Sequence, residues 1–183
     1  GVAGTYFVQT KYVADFYDVA FFNEENLPFL KQIKDLGMEI ASHSVSHSYQ
    51  FAQFPPGTGG ETYPEYTPRV IDHHKTVGGS VLGELRVSKF LLDSLLDAEV
   101  VSFRPGHLSN PYSLPESLAA SGYAFSSSST ANDSLTHLPF QLTYGRGFDA
   151  DVPIFEFPVT IEDELIPAIR RLEPALELAG KLK

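Results

Sequence analysis

The sequence predicts an α/β fold, a parallel sheet flanked by helices. Three observations predict it. Short runs of β-forming residues alternate with helical periods over most of the chain. The first strand, helix and strand follow at the spacing of a βαβ unit. Reactive polar residues recur just past strand ends, where parallel α/β folds bind ligands.

The elements read as follows. "GTYFVQ" (4–9) is apolar and rich in β-formers, a buried strand. Asn26 is a candidate cap for a helix over 27–36, in which Leu27, Leu30, Ile33, Lys34 and Leu36 give a partly apolar face and Gly37 a stop. "MEIAS" (38–42) is the next strand. Residues 49 to about 79 are rich in Pro, Gly and aromatics, and are too long for a plain connector. The segment 80–97 is a helix with Val81, Leu85, Leu92, Leu95 and Leu96 on a broad apolar face. "VVSF" (100–103) is a third strand. "SLPE" (113–116) has the form of a capping box with proline just inside, opening a short helix that ends at Gly122. "YAFS" (123–126) and "IFEFPV" (154–159) are the fourth and fifth strands. "TIED" (160–163) opens a terminal helical region that Pro167 and Pro174 divide.

Composition narrows the function. A chain of 183 residues fits one domain, 1–183, with the stretch 49–79 as an insertion. Its 43% hydrophobic and 20% charged residues place it in the soluble globular class. A net charge of −10 argues against nucleic acid, which needs a basic face. There is no cysteine, so thiolate metal sites, disulfides and cysteine nucleophiles are excluded. No stretch has the length of a membrane span, and the start "GVAGTYFV" lacks the pattern of a signal peptide. The chain opens on a strand without a methionine, as a mature form or a trimmed segment does.

Candidate site residues cluster after strands. His43 and His47 follow "MEIAS", Arg104 and His107 follow "VVSF", and Ser126 to Ser129 follow "YAF". Histidines at i and i+4 present both imidazoles to one cation if the segment makes one helical turn, and neutral imidazole suits Zn²⁺, Co²⁺ or Ni²⁺. The competing reading is a pair of loop or core histidines. Arg104 is otherwise a structural ion-pair partner. Asp15 and Asp18 follow the first strand; solvated loop aspartates are the leading reading, a stand-in carboxylate for the site the other. His73 and His74 read as exposed loop histidines, and His137 either lines the site or caps a turn. The serine run lacks a G-x-S-x-G elbow, so strand-end hydrogen bonding is the better reading. Tyr49, Phe51, Phe54, Tyr63 and Tyr66 either offer flat faces to sugar rings or pack the insertion onto the fold.

"EIASHSVSH", with "GTYFV" upstream and "SFRPGHL" downstream, resembles the polysaccharide deacetylases of the NodB-homology type, carbohydrate esterase family 4. His43-Ser44-Val45-Ser46-His47 matches the histidine motif H-S/T-x-x-H in full, and "FRPG" resembles the arginine motif R-x-P-aromatic. "SGYAFSSSS" resembles the strand that follows. The resemblance implies a distorted (β/α) barrel of about seven strands that acts on an acetylated glycan substrate with a divalent metal, Zn²⁺ first, with Co²⁺ or Ni²⁺ as alternatives. It implies an extracellular, periplasmic or cell-surface location. It implies that His43 and His47 bind the metal and that Arg104 orients a catalytic aspartate. Pro105 takes the variable place of the arginine motif and Gly106 the proline place. His107 then stands at the aromatic position, where a backbone N–H helps bind the oxyanion, a contact worth roughly 3 kcal/mol in acyl-transfer sites.

The departures are as informative. The family's first motif, a strand ending in two aspartates, and its late leucine-x-histidine motif are absent from these residues, and the chain has no tryptophan. The general base, the general acid and the third metal ligand are therefore expected outside this chain. The expected function is hydrolysis of the acetyl carbon–nitrogen bond, or of an O-acetyl ester, by metal-activated water. The alternative is an inactive glycan-binding module on the same fold.

Overall fold

The computed structural model describes residues 4–16, 19–146 and 150–160. Its main sheet has six strands: β1 (Thr5–Val8), β2 (Glu39–Ser42), β5 (Ser102–Phe103), β6 (Phe125–Ser126), β7 (Phe140–Thr143) and β8 (Asp151–Glu156). They lie in the order β1-β2-β5-β6-β8-β7. Five run parallel, and β7 is antiparallel to β8. A separate antiparallel hairpin, β3 (Arg69–Asp72) and β4 (Lys75–Val77), stands in the insertion. The helices are α1 (Leu27–Asp35), α2 (Val81–Leu96), α3 (Leu114–Ala120) and the single turn α4 (Ala131–Ser134). This is a mixed α/β fold with a mostly parallel sheet. The described sheet is open, with β1 and β7 at its edges.

Side chains alternate across the strands. β8 is the clearest case: Val152, Ile154 and Glu156 are buried while Asp151, Pro153 and Phe155 are exposed. One sheet face, with Val8, Ile40, Phe103 and Ile154, joins Leu85, Leu92 and Leu96 of α2 and Leu114 and Leu118 of α3 in one core. Each fully buried Leu or Ile stabilises by about 1.5–3 kcal/mol, so this layer carries most of the fold. The opposite face stays open to solvent: Phe125, Phe155 and Phe157 keep 39%, 46% and 45% of their surface exposed.

Several sequence expectations need correction. The strand expected at 154–159 runs over Asp151–Glu156, and its antiparallel neighbour β7 was not expected at all. β5 is shorter than 100–103. Ser113 begins α3 without a side-chain capping bond, so the "SLPE" box does not form, and Asn26 likewise makes no cap bond at α1. Ser80 is the side chain that caps a long helix, accepting from Gly83 N–H. The terminal region 161–183, with its "TIED" start and its two prolines, lies outside the described residues.

The insertion is not a bare loop. A 3₁₀ turn over Phe51–Gln53 and the β3–β4 hairpin organise it. Its aromatics divide in two. Phe51 and Tyr66 are core residues at 2% and 6% exposure, and Phe54 is half-buried, whereas Tyr49 and Tyr63 stay exposed at 45% each.

Candidate functional site

The carboxyl ends of five parallel strands are in register. Val8 pairs with Ser42, Ser42 with Phe103, Phe103 with Ser126 and Ser126 with Glu156. The ladder continues one residue further through backbone bonds. His43 N–H donates to Val8 O at 2.9 Å, Arg104 N–H to Ser42 O at 3.0 Å and Ser127 N–H to Phe103 O at 2.9 Å. His43, Arg104 and Ser127 thus emerge side by side on one edge, as the strand-end argument expects.

The histidine motif reaches its geometry by another route than one helical turn. Ser44 and His47 have φ of 66° and 54°, the left-handed region, so the segment is a tight irregular loop. The His43 and His47 ring centroids still come to 4.9 Å. The loop is held from below by a buried carboxylate. Glu84 of α2 is wholly buried, and its Oε2 accepts from Val45 N–H and Ser46 N–H, both at 2.8 Å. Its Oε1 accepts from the Tyr66 hydroxyl at 2.9 Å. Burial pushes the Glu84 carboxyl up, and these donors pull against it.

The Arg104 carbonyl sets the tautomer of His43. Its Nδ1 lies 2.7 Å from the Arg104 carbonyl oxygen. A carbonyl only accepts, so Nδ1 carries the proton and Nε2 keeps its lone pair. Burial lowers the His43 imidazole below its ordinary value, the hydrogen bond it donates to the Arg104 carbonyl opposes this, and the nearby Arg104 charge adds to the lowering.

His47 packs against the arginine-motif turn. The His47 and His107 rings lie 4.4 Å apart. A Cβ on Gly106 would stand 2.5 Å from His47 Cδ2 and 3.0 Å from its Nε2, so only glycine admits the ring here. The His107 ring in turn stacks on Tyr49 at 3.4 Å and 14°. The expected role of His107 lay in its backbone alone; its side chain is also built into the cluster.

Arg104 makes no ion pair among the described residues. Its Nη2 donates to Ser127 Oγ at 2.7 Å and its Nε to Ser127 O at 3.2 Å, while the guanidinium lies 4.2 Å over the Phe7 ring. Burial lowers its ordinary value, and Glu156 opposes that. It lines a cavity of about 470 Å³ with Phe7, Glu39, Phe125, Ser127 and Phe157.

The serine run does strand-end bonding, as its sequence suggested. Glu156 Oε1 accepts from Ser128 N–H at 2.6 Å and Ser129 N–H at 3.0 Å, and Ser127 Oγ donates to Phe157 O at 2.7 Å. Asp15 is not a solvated loop carboxylate. It forms a buried ion pair with Lys11 at 2.6 Å and accepts from Val70 N–H at 2.9 Å. Asp18 lies outside the described residues. His137 is exposed in the bend before β7. Sequence reasoning missed Glu84 and Glu156, which have no local signal beyond a charge at an apolar helix or strand position.

His43 and His47 have the donor chemistry for two positions of a transition-metal site. Among the described residues, no group of three His, Asp or Glu side chains is placed to hold a metal ion.

No protein-family model matches the chain, and no curated protein matches it. Among solved structures, the chain is similar to a crystal structure described as a "putative polysaccharide deacetylase" from Mycobacterium smegmatis. The TM-score is 0.55 at 18% identity, over 87% of this chain and 41% of that one. The chain therefore spans about two fifths of that protein's length, and the likeness is one of fold.

Three outcomes test this geometry. Glu84→Ala leaves buried donors without an acceptor at about 1–3 kcal/mol each; urea unfolding shows a loss of roughly 3 kcal/mol, and Glu84→Gln a smaller one. Gly106→Ala displaces the His47 ring, costs about 1–3 kcal/mol by overpacking, and shifts the His107 imidazole NMR signals. The third concerns pH. The unfolded chain protonates His43 near its ordinary 6.5, the folded chain only below that. Stability from this group is therefore complete above the unfolded value and is lost as pH falls from there through the lower folded value. Wild-type protein loses more stability than His43→Gln between neutral and mildly acidic pH in urea titrations.

Proposed function

We propose that this chain belongs to a metal-dependent hydrolase that removes acetyl groups from an N-acetylated or O-acetylated polysaccharide. One observation carries the reading: His43, His47, His107 and Arg104, from two separate strand ends, meet at the carboxyl edge of a parallel sheet. The fold likeness to a protein described as a deacetylase supports it. The distorted (β/α) barrel is part of the same proposal, with the five parallel strands as its support.

In this reading His43 and His47 hold a divalent ion, Zn²⁺ first, with Co²⁺ or Ni²⁺ as alternatives. Such an ion, when bound, lowers the pKa of water and polarises an acyl carbonyl. The chain's own residues supply the rest. The Arg104 carbonyl fixes the His43 tautomer, leaving Nε2 toward the site. Ser127 and Phe7 hold the Arg104 guanidinium in a cavity, where it can orient a carboxylate. The backbone N–H of His107 is assigned to the developing oxyanion. Removing a proton from water and delivering one to the leaving amine require a base and an acid that this reading assigns to neither Asp15 nor the serine run. The substrate class implies a cell-surface, periplasmic or extracellular setting. Among the described residues no helix is long and apolar enough to cross a membrane.

A second reading, a glycan-binding module without activity, is favoured by the absence of a third ligating side chain beside His43 and His47 among the described residues. Acetate release from N-acetylated oligosaccharides, with and without added Zn²⁺, separates the two. The hydrolase reading expects release that falls by more than about a hundredfold in His43→Ala/His47→Ala, beyond the ~10–100-fold of losing an outer partner. Equilibrium dialysis expects that variant to lose Zn²⁺ binding; unchanged Zn²⁺ binding sinks the metal assignment. Glycan binding without acetate release supports the second reading.

A further inference from the structure

We propose that the cleft formed by Tyr49, Gln50, Gln53, His73 and His74 is a second carbohydrate subsite. It would take the sugar unit next to the one presented to His43, His47 and His107. The proposal rests on the glycan reading above and deepens it.

Position is the first argument. The cleft, of about 410 Å³, adjoins the histidine cluster through Tyr49, one of its lining residues. The Tyr49 ring stacks on His107 at 3.4 Å and meets the His73 ring edge-to-face at 4.9 Å. His107 in turn lies 4.4 Å from His47. A continuous row of rings therefore leads from the motif histidines to the tip of the β3–β4 hairpin, and a chain-like ligand lying along it would touch both ends.

Chemistry is the second. The lining contains no Asp, Glu, Lys or Arg. It contains the Gln53 carboxamide, two imidazoles and a phenol, groups that both donate and accept hydrogen bonds, while the Gln50 carboxamide is taken up by the hairpin. Tyr49 adds a flat apolar surface with 45% of its area exposed. Such a set fits a neutral polyhydroxylated ring better than an anion or a cation. The volume lies within the range of small-molecule sites.

Pre-organisation is the third. The hairpin is tied to the segment that follows His47. Thr76 N–H donates to Gln50 Oε1 at 2.7 Å, Gln50 Nε2 donates to His74 O, and the Ser48 and Thr76 hydroxyls bond at 2.6 Å. At the tip, His74 N–H donates to Asp72 Oδ1 at 2.7 Å. A cleft whose walls are already fixed loses less freedom on binding. The hairpin belongs to the insertion, so the same segment that departs from a plain connector builds the cleft.

The test uses N-acetylglucosamine oligomers of one to five units. Imidazole signals of His73 and His74, assigned with His73→Ala and His74→Ala, are followed by NMR in titrations. Longer oligomers are expected to shift both signals at lower concentration than the monomer. His73→Ala/Gln53→Ala is expected to weaken pentamer binding about tenfold and to leave the monomer unaffected. Absence of any shift at His73 and His74 with the pentamer overturns the subsite, as does an unchanged length dependence in the double variant. Acetate release is measured in parallel. Shifts without acetate release leave the subsite standing and remove the hydrolase reading. Release that is equally efficient at all lengths in both proteins removes the subsite alone.

Discussion

The Glu84 carboxylate holds together three parts of the chain that are distant in sequence. It sits wholly buried on α2, accepts two successive amides of the histidine loop, and accepts the hydroxyl of Tyr66 from the insertion. A buried carboxylate without partners is strongly unfavourable, so its position dictates that donors come to it. The loop above it needs such a hold. Ser44 and His47 both occupy the left-handed region, which non-glycine residues enter at a cost of about 1–3 kcal/mol and keep only when their surroundings over-determine them. The same device recurs under the serine loop, where Glu156 accepts from Ser128 and Ser129. Two buried glutamates thus shape the strand-end loops after β2 and β6, on either side of β5.

On that base the site is a sequence of contacts rather than a set of isolated side chains. His43 leans on the Arg104 carbonyl, Arg104 on Ser127 and Phe7, His47 on the space Gly106 leaves, and His107 on Tyr49. Each contact restricts the next. The motif histidines and the arginine-motif turn are therefore one structural unit, although some 60 residues separate them. The insertion joins this unit through Tyr49, whose ring stacks on His107.

Much of this was legible in the sequence. Strand runs at 4–9, 38–42 and 123–126 and the helix at 80–97 match observed elements within a few residues, because burial on one face imposes a period that survives in the letters. The strand-end placement of His43, Arg104 and Ser127 was likewise readable, since it follows from strand boundaries alone. The hairpin at 69–77 and strand β7 were not. Both are short, half-exposed and paired antiparallel with a neighbour, so their apolar pattern is weak. The capping motifs at Asn26 and Ser113 matched in letters yet made no cap bond, because backbone geometry decides whether the side chain can reach.

The sequence by itself determined the parallel α/β class and which residues leave the strands toward a common edge. These depend on local periods and on chain order. Only the tertiary structure decided the tautomer of His43, the burial of Glu84 and Asp15, the clearance at Gly106 and the split of the insertion aromatics into core and surface. Each of those depends on a partner dozens of residues away, at distances of a few ångström that no local pattern encodes.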